Sequence, residues 1–204
     1  MNSASGHASR CAILIGGAGS RIGGDKHLRE LGGRSLAGWV IDAVRKARLE
    51  PLLVAKHGTP LGELAGACEV AVEPEAEHHP LLGLIAALEL TREPLVVTPC
   101  DVPLVPPALL RELAEAEGTA VVDGPDGVEP LLGRYEPAAL PVLREAVRNG
   151  ASARSAAEML GAAEIGRDEL DRYGDPVRFL SNVNVPDDLL ILERELTPPG
   201  EVRG

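Results

Sequence analysis

The feature that most restricts the fold is a regular alternation of short, nearly continuous apolar runs with longer amphipathic stretches. The runs lie at 11–15, 51–55, 69–72 and 94–98, and each is followed by a stretch of helical spacing, at 35–48, 60–67, 80–90 and 106–117. A run with no polar alternate belongs to a strand buried on both faces, and the intervening lengths suit right-handed crossovers. The pattern predicts an α/β fold: a three-layer α/β/α arrangement with a mostly parallel sheet. After a strand at 119–122 the rhythm loosens into a turn at 123–127, a strand at 129–135 and helices at 137–149 and 151–160. A last strand at 178–183 precedes a helix at 186–195, where Pro186, Asp187 and Asp188 suit a helix start and its dipole. Residues 1–10 and 197–204 lack periodicity and read as loose tails of one domain spanning residues 1–204.

Charge and composition narrow the classes of partner. Acidic residues outnumber basic ones by 31 to 20, a formal charge of −11 that repels nucleic-acid backbones and anionic lipid. Four aromatic residues, Trp39, Tyr135, Tyr173 and Phe179, give little for stacking on single-stranded nucleic acid. The apolar run at 81–88 is far shorter than a membrane span, and no signal-like segment opens the chain, so a cytoplasmic location is expected. Cys11, Cys68 and Cys100 are odd in number and far apart, which fits buried apolar residues rather than disulfides or a zinc site. An anionic ligand would have to be held by local features: helix N-termini, a metal, or a few cations.

One such feature follows the first apolar run. Ile13-Leu14-Ile15-Gly16-Gly17-Ala18-Gly19-Ser20-Arg21-Ile22-Gly23-Gly24-Asp25-Lys26 sets five glycines, an arginine and a lysine beyond a buried strand. Ligands of open α/β sheets bind at the carboxyl ends of strands. The segment is neither a P-loop, since His27 follows Lys26, nor a dinucleotide fingerprint, since Ile22 stands where a third glycine belongs. It remains a loop whose backbone N–H groups approach phosphate, with Arg21 and Lys26 as charge. The plainer reading is a flexible turn.

This segment resembles the signature of nucleotidyltransferases with a glycosyltransferase-A-like fold, and within them the molybdenum cofactor guanylyltransferases. Four further segments match in order: Pro80-Leu81-Leu82-Gly83-Leu84, Pro99-Cys100-Asp101-Val102-Pro103, Glu129-Pro130-Leu131, and Asn182-Val183-Asn184-Val185-Pro186-Asp187-Asp188-Leu189. The chain departs from the family pattern at Ile15 (usually Ala), Lys56 (Asn), His79 (Gly), Glu129 (His) and Val185 (Thr). The resemblance implies transfer of GMP from GTP to molybdopterin with release of pyrophosphate, dependent on Mg²⁺, with proteins that deliver or receive the cofactor as possible partners. Alternatives are a cytidylyltransferase or sugar-phosphate nucleotidyltransferase of the same fold, or a nucleotide- or cofactor-binding protein without turnover.

Such a reaction joins two anions while charge builds on the leaving group, so the site needs a metal, cations and backbone donors more than a strong base. Asp101, after an apolar strand, is the expected metal ligand; its plainer role is a turn or cap residue. Lys26 and Arg21 complete the expected catalytic set, against the alternative of solvated surface charge. The resemblance implies that backbone groups at Ile15, Gly16 and Gly17 read the base, with Gly19 in the same nucleotide-binding loop and Gly16 leaving room for a purine. Glu73 is either an acceptor for guanine N–H groups or a surface acid. Asn182 and Asn184 flank Val183, so on an extended segment both amides face the substrate side while Val183 packs inward; helix capping is their alternative.

Overall fold

A computed structural model describes residues 6–16, 25–74 and 79–196 of the 204-residue chain. In chain order the elements are β1 (Arg10–Leu14), a small hairpin of β2 (Glu30–Leu31) and β3 (Arg34–Ser35), α1 (Leu36–Lys46), β4 (Glu50–Ala55), β5 (Glu69–Val72), α2 (Leu81–Thr91), β6 (Leu95–Pro99) and α3 (Pro107–Glu115). Then come β7 (Ala120–Gly124), β8 (Gly127–Tyr135), α4 (Leu140–Arg148), α5 (Ala153–Met159), β9 (Ala163–Ile165), α6 (Arg167–Leu170), α7 (Pro176–Phe179) and α8 (Pro186–Leu196).

The main sheet has the order β5-β4-β1-β6-β8-β7-β9, and β8 alone runs against its neighbours. The predicted α/β class is what forms. Successive residues of each inner strand feed opposite faces. Cys11, Ile13, Leu53 and Val96 pack beneath α1 and α3, while Ala12, Leu52, Val54, Leu95 and Val97 pack beneath α2, α4 and α5. Ser35 caps α1 by accepting from Gly38 N at 3.2 Å. α8 closes a smaller cluster, Leu31, Leu36, Val183 and Leu192, against the β2–β3 hairpin. Among the described residues no helix is long and apolar enough to cross a membrane.

Three expectations need correcting. Residues 178–183 are not a strand: Asp175 accepts from Val177 N at 3.0 Å and Pro176 opens α7, so a helical turn forms before Val183 donates a single backbone bond to Asp101 O. Residues 60–67 hold only a 3₁₀ turn at Gly62–Leu64, because Gly58, Gly62 and Gly66 adopt positive φ and interrupt helical continuation. The amino-terminal tail is shorter than ten residues: the buried Arg134 donates to Gly6 O at 2.9 Å, Ala8 N donates to Ala114 O, and Arg10 already lies in β1. Residues 1–5 and 197–204 lie outside the described residues.

β7 and β8 approach closely at Gly133. A Cβ there would sit 2.5 Å from the carbonyl oxygen of Ala120 and 3.0 Å from Val121 Cγ1, beside the register shift between Val121 and Val122. A backbone oxygen within a ladder cannot turn aside, so Gly133→Ala is expected to destabilise the fold by about 2 kcal/mol or more, within or above the usual range for overpacking. Thermal unfolding measures this directly, and an unchanged midpoint would show that the strands part without penalty.

Candidate active site

The sheet order sets the location of the site. β1 has β4 on one side and β6 on the other, so connections leave it in opposite directions and open a crevice at the carboxyl ends. Ile15 and Gly16 follow β1, Lys56 follows β4, Glu73 follows β5, and Cys100 and Asp101 follow β6. Since β8 is antiparallel, its beginning reaches the same edge. The β6–β8 register pairs Leu95 with Tyr135, Val96 with Arg134 and Val97 with Gly133, and nearer the start of β8 Glu129 lies close enough to Asp101 to feel its charge.

Lys26, Asp101 and Asn184, far apart in sequence, meet here. Lys26 Nζ donates to Asp101 Oδ2 at 2.7 Å and to Asn184 Oδ1 at 2.9 Å. The Lys26 and Asp101 side chains are 13% and 23% exposed, a partly desolvated setting in which their attraction exceeds that of a surface pair. Backbone bonds fix the geometry: Cys100 N donates to Leu14 O at 3.1 Å, and Val183 N to Asp101 O at 2.9 Å. Asp188 Oδ2 accepts from Asn184 N at 2.6 Å and Val185 N at 2.8 Å, anchoring the Asn184 segment to the start of α8.

Among the described residues Asp101 Oδ1 is buried without a hydrogen-bond partner. A carboxylate oxygen in that state, beside a carboxylate neighbour, fits a divalent cation of the Mg²⁺ type, which needs one or two carboxylates and completes its shell with phosphate and water. No group of three or more metal-ligating side chains occurs among the described residues. Burial raises the pKa of Glu129, and the charges of Asp101 and Asp126 raise it further against the lowering effect of Arg154. Burial, reinforced by Asp101, pushes the Cys100 thiol up to about 12. Cys100 is therefore a protonated packing residue at neutral pH rather than a nucleophile.

A second group of residues surrounds Gly16. Ile15 is buried and its N–H donates to Val54 O at 2.9 Å. A Cβ on Gly16 would lie 3.0 Å from Glu73 Oε1 and 3.0 Å from Lys56 Cγ. The glycine lets the carboxylate and the lysine stem close in on the backbone. Gly83 does the same from α2, where a Cβ would lie 2.9 Å from Glu73 Oε1. Glu73 is therefore a wall of the crevice and not a remote surface acid.

Other expected residues fall unequally. Of the paired amides, Asn184 reaches Lys26, whereas half-buried Asn182 makes no side-chain hydrogen bond among the described residues; Val183 packs inward as expected. Gly17, Gly19 and Arg21 lie outside the described residues. Asp25 acts through its backbone, accepting from Leu28 N at 2.8 Å. His79, where the family pattern has glycine, accepts from Leu81 N at 3.2 Å through Nδ1 and bonds Ala151 O at 2.9 Å through Nε2, so it serves the start of α2.

The MobA-like NTP transferase domain matches residues 11–165. The chain belongs to that family. It is a nucleotidyltransferase, and the matched span runs from the second residue of β1 to the end of β9 and includes Lys26, Glu73 and Asp101. A molybdenum cofactor guanylyltransferase of Pseudomonas syringae pv. syringae is 35% identical over 188 residues, covering 86% of this chain and 90% of the relative. One of Shewanella amazonensis is 29% identical over 196 residues, covering 91% and 95%. The crystal structure of molybdopterin-guanine dinucleotide biosynthesis protein A from Archaeoglobus fulgidus is 26% identical and superposes with a TM-score of 0.77, covering 92% of this chain and 98% of that one.

Sequence reasoning did not place three residues of this nucleotidyltransferase at the site. Glu129 and Lys56 stood out only as departures from a family pattern, and only the folded chain brings Glu129 within reach of the charge of Asp101 and Lys56 against Gly16. Asp188 had a readable signal: a carboxylate three residues after Val185 at a proline-opened helix start is half of a capping box.

Proposed function

We propose that this nucleotidyltransferase acts in molybdenum cofactor biosynthesis, transferring GMP from GTP to the terminal phosphate of molybdopterin with release of pyrophosphate. The reading is carried by the junction of Lys26, Asp101 and Asn184 at the carboxyl edge, together with the names of the relatives that span most of the chain. In the reaction an acceptor phosphate oxygen forms a bond to the α-phosphorus while the bridge to the β-phosphate breaks and its electrons leave on pyrophosphate. Asp101, with its buried and unpartnered oxygen, is the residue that would hold Mg²⁺. When bound, the ion supplies positive charge to the phosphate oxygens. Lys26 contributes a second positive charge beside Asp101, oriented by Asn184, and Arg21 is assigned to the β- and γ-phosphates. Asn182 and Asn184 are assigned to the acceptor side. Ile15, Gly16, Gly17 and Gly19 are assigned to the nucleotide base, and Glu73, which lies against Gly16, is assigned to accept from the guanine N1–H and N2–H₂.

Calorimetric titration with the four nucleoside triphosphates in Mg²⁺ tests this reading. GTP is expected to bind at least about tenfold more tightly than ATP or CTP, because each buried polar group left unmet by the wrong base costs roughly 1–3 kcal/mol. Equal affinities would reduce the assignment to a generic nucleotidyltransferase. A preference for CTP would replace it with a cytidylyltransferase.

A further inference from the structure

Lys26 stands on a turn whose next residue points the other way. Lys26–Leu28 form one 3₁₀ turn, closed by Leu28 N donating to Asp25 O at 2.8 Å and Arg29 N donating to Lys26 O at 3.1 Å. Successive side chains leave such a turn about 120° apart, so Lys26 reaches toward Asp101 and Asn184 while His27 enters the protein. His27 is only 2% exposed, and its Nε2 lies 2.8 Å from the carbonyl oxygen of Pro60. A carbonyl only accepts, so Nε2 carries the proton and donates it. The turn makes a second contact with the same segment: a Cβ on Gly62 would come 3.2 Å from both methyl carbons of Leu28.

Pro60 and Gly62 belong to the connection after β4, whereas Asp101 follows β6, and β1 lies between those strands. The turn is therefore gripped on the β4 side, and its lysine extends to the β6 side. Just before it, Asp25 takes φ 43° and ψ 38°, in the left-handed region, with no side-chain capping bond. A residue with a Cβ stays in that region only where surrounding contacts hold it, and the grip on His27 and Leu28 is such a contact. We propose that His27 is a positioning residue for Lys26: its buried bond to Pro60 O fixes the turn from which the ammonium meets Asp101 Oδ2 and Asn184 Oδ1. This rests on the catalytic role proposed for Lys26. A lysine carries its charge on a flexible four-carbon stem, so the place of the charge depends on how firmly the backbone beneath it is held. Without the anchor the turn relaxes from its left-handed entry, and the ammonium spends part of its time away from the reacting phosphate.

The test uses the whole chain with His27→Phe and His27→Leu, which fill the site without a donor, and His27→Gln, whose amide nitrogen offers an N–H in place of Nε2. Pro60 is exposed, so water meets the carbonyl that loses its partner, and both apolar variants are expected to fold, which the thermal midpoint checks. In single-turnover transfer of GMP they are expected to slow the chemical step about tenfold while GTP affinity changes less than about twofold, and His27→Gln to recover most of the rate. Combined with Lys26→Ala, neither apolar variant is expected to add a further loss, because a residue that acts through Lys26 then has nothing to position. A second readout needs no substrate. Acetylation by an amine-reactive reagent, mapped by peptide mass, is expected to mark Lys26 several-fold faster in His27→Phe, measured against the exposed Lys46. The same tenfold loss on the Lys26→Ala background, or loss of folding in both apolar variants, would make His27 a general support of the fold and overturn the proposal. An unchanged rate or an unchanged Lys26 labelling ratio would overturn it too. If the natural protein transfers no GMP from GTP, the guanylyl reading fails, a separate result, and the labelling ratio still decides whether His27 holds Lys26.

Discussion

Asp101→Asn is expected to reduce nucleotidyl transfer by roughly 100- to 1,000-fold, the scale on which removal of one preorganised electrostatic contact acts at a transition state. The substitution changes one atom. An amide keeps an acceptor oxygen for Lys26 Nζ, now at 2.7 Å from Oδ2, and the bonds from Val183 N to Asp101 O and from Cys100 N to Leu14 O do not involve the side chain. What disappears is the negative charge proposed to hold Mg²⁺, on a carboxylate whose Oδ1 is buried without a hydrogen-bond partner among the described residues. Turnover should therefore collapse while the thermal midpoint stays within a few degrees, and raising Mg²⁺ should recover only part of the rate. A near-normal rate across a Mg²⁺ titration would remove Asp101 from the metal role.

Lys26→Ala has the second largest expected effect, a loss of about 100-fold in the rate of the chemical step with a much smaller change in GTP affinity. A cation matters most where charge develops, and Lys26 is held in place by two oxygens from distant segments, Asp101 Oδ2 and Asn184 Oδ1. With its side chain only 13% exposed, the ammonium group is little screened by water. Single-turnover measurements at saturating GTP separate the two effects. An unchanged chemical step with weaker GTP binding would make Lys26 a ground-state phosphate contact.

The two variants also differ in what they leave behind. Asp101→Asn leaves Lys26 hydrogen-bonded but less compensated in charge, whereas Lys26→Ala leaves a carboxylate that is 23% exposed without its nearest cation. Loss of the lysine also frees Asn184 from the crevice, although Asp188 still holds the Asn184 and Val185 N–H groups. Acceptor binding is thus expected to weaken in Lys26→Ala more than in Asp101→Asn, which a titration with the pterin acceptor measures.

Local chemistry made the parallel part of the fold readable. A strand buried on both faces must be apolar throughout, and residues 11–15, 51–55 and 94–98 carry that mark, as β1, β4 and β6 show. Asp101 and Lys26 were readable because each follows a distinctive local segment: a Pro-Cys-Asp-Val-Pro turn and a glycine-rich loop. Three-residue β9 and the two-residue strands β2 and β3 carry too few residues for any period to appear, and their pairing depends on neighbours from elsewhere in the chain. Residues 178–183 went astray because a proline-opened helical turn outcompeted the β propensity of a short apolar stretch.

The sequence by itself determined the fold class and singled out the carboxylate and the lysine that meet at the carboxyl edge of the sheet, because those properties follow from residues adjacent in the chain. The tertiary structure alone decided what meets what. An antiparallel β8 brings Glu129 within reach of the charge of Asp101, Asn184 reaches Lys26 across 158 positions of sequence, and Lys56 and Glu73 converge on a glycine from the ends of two different strands. Contacts of that kind arise from sheet order and register, which depend on pairing between strands remote in sequence, so no local pattern of residues can encode them.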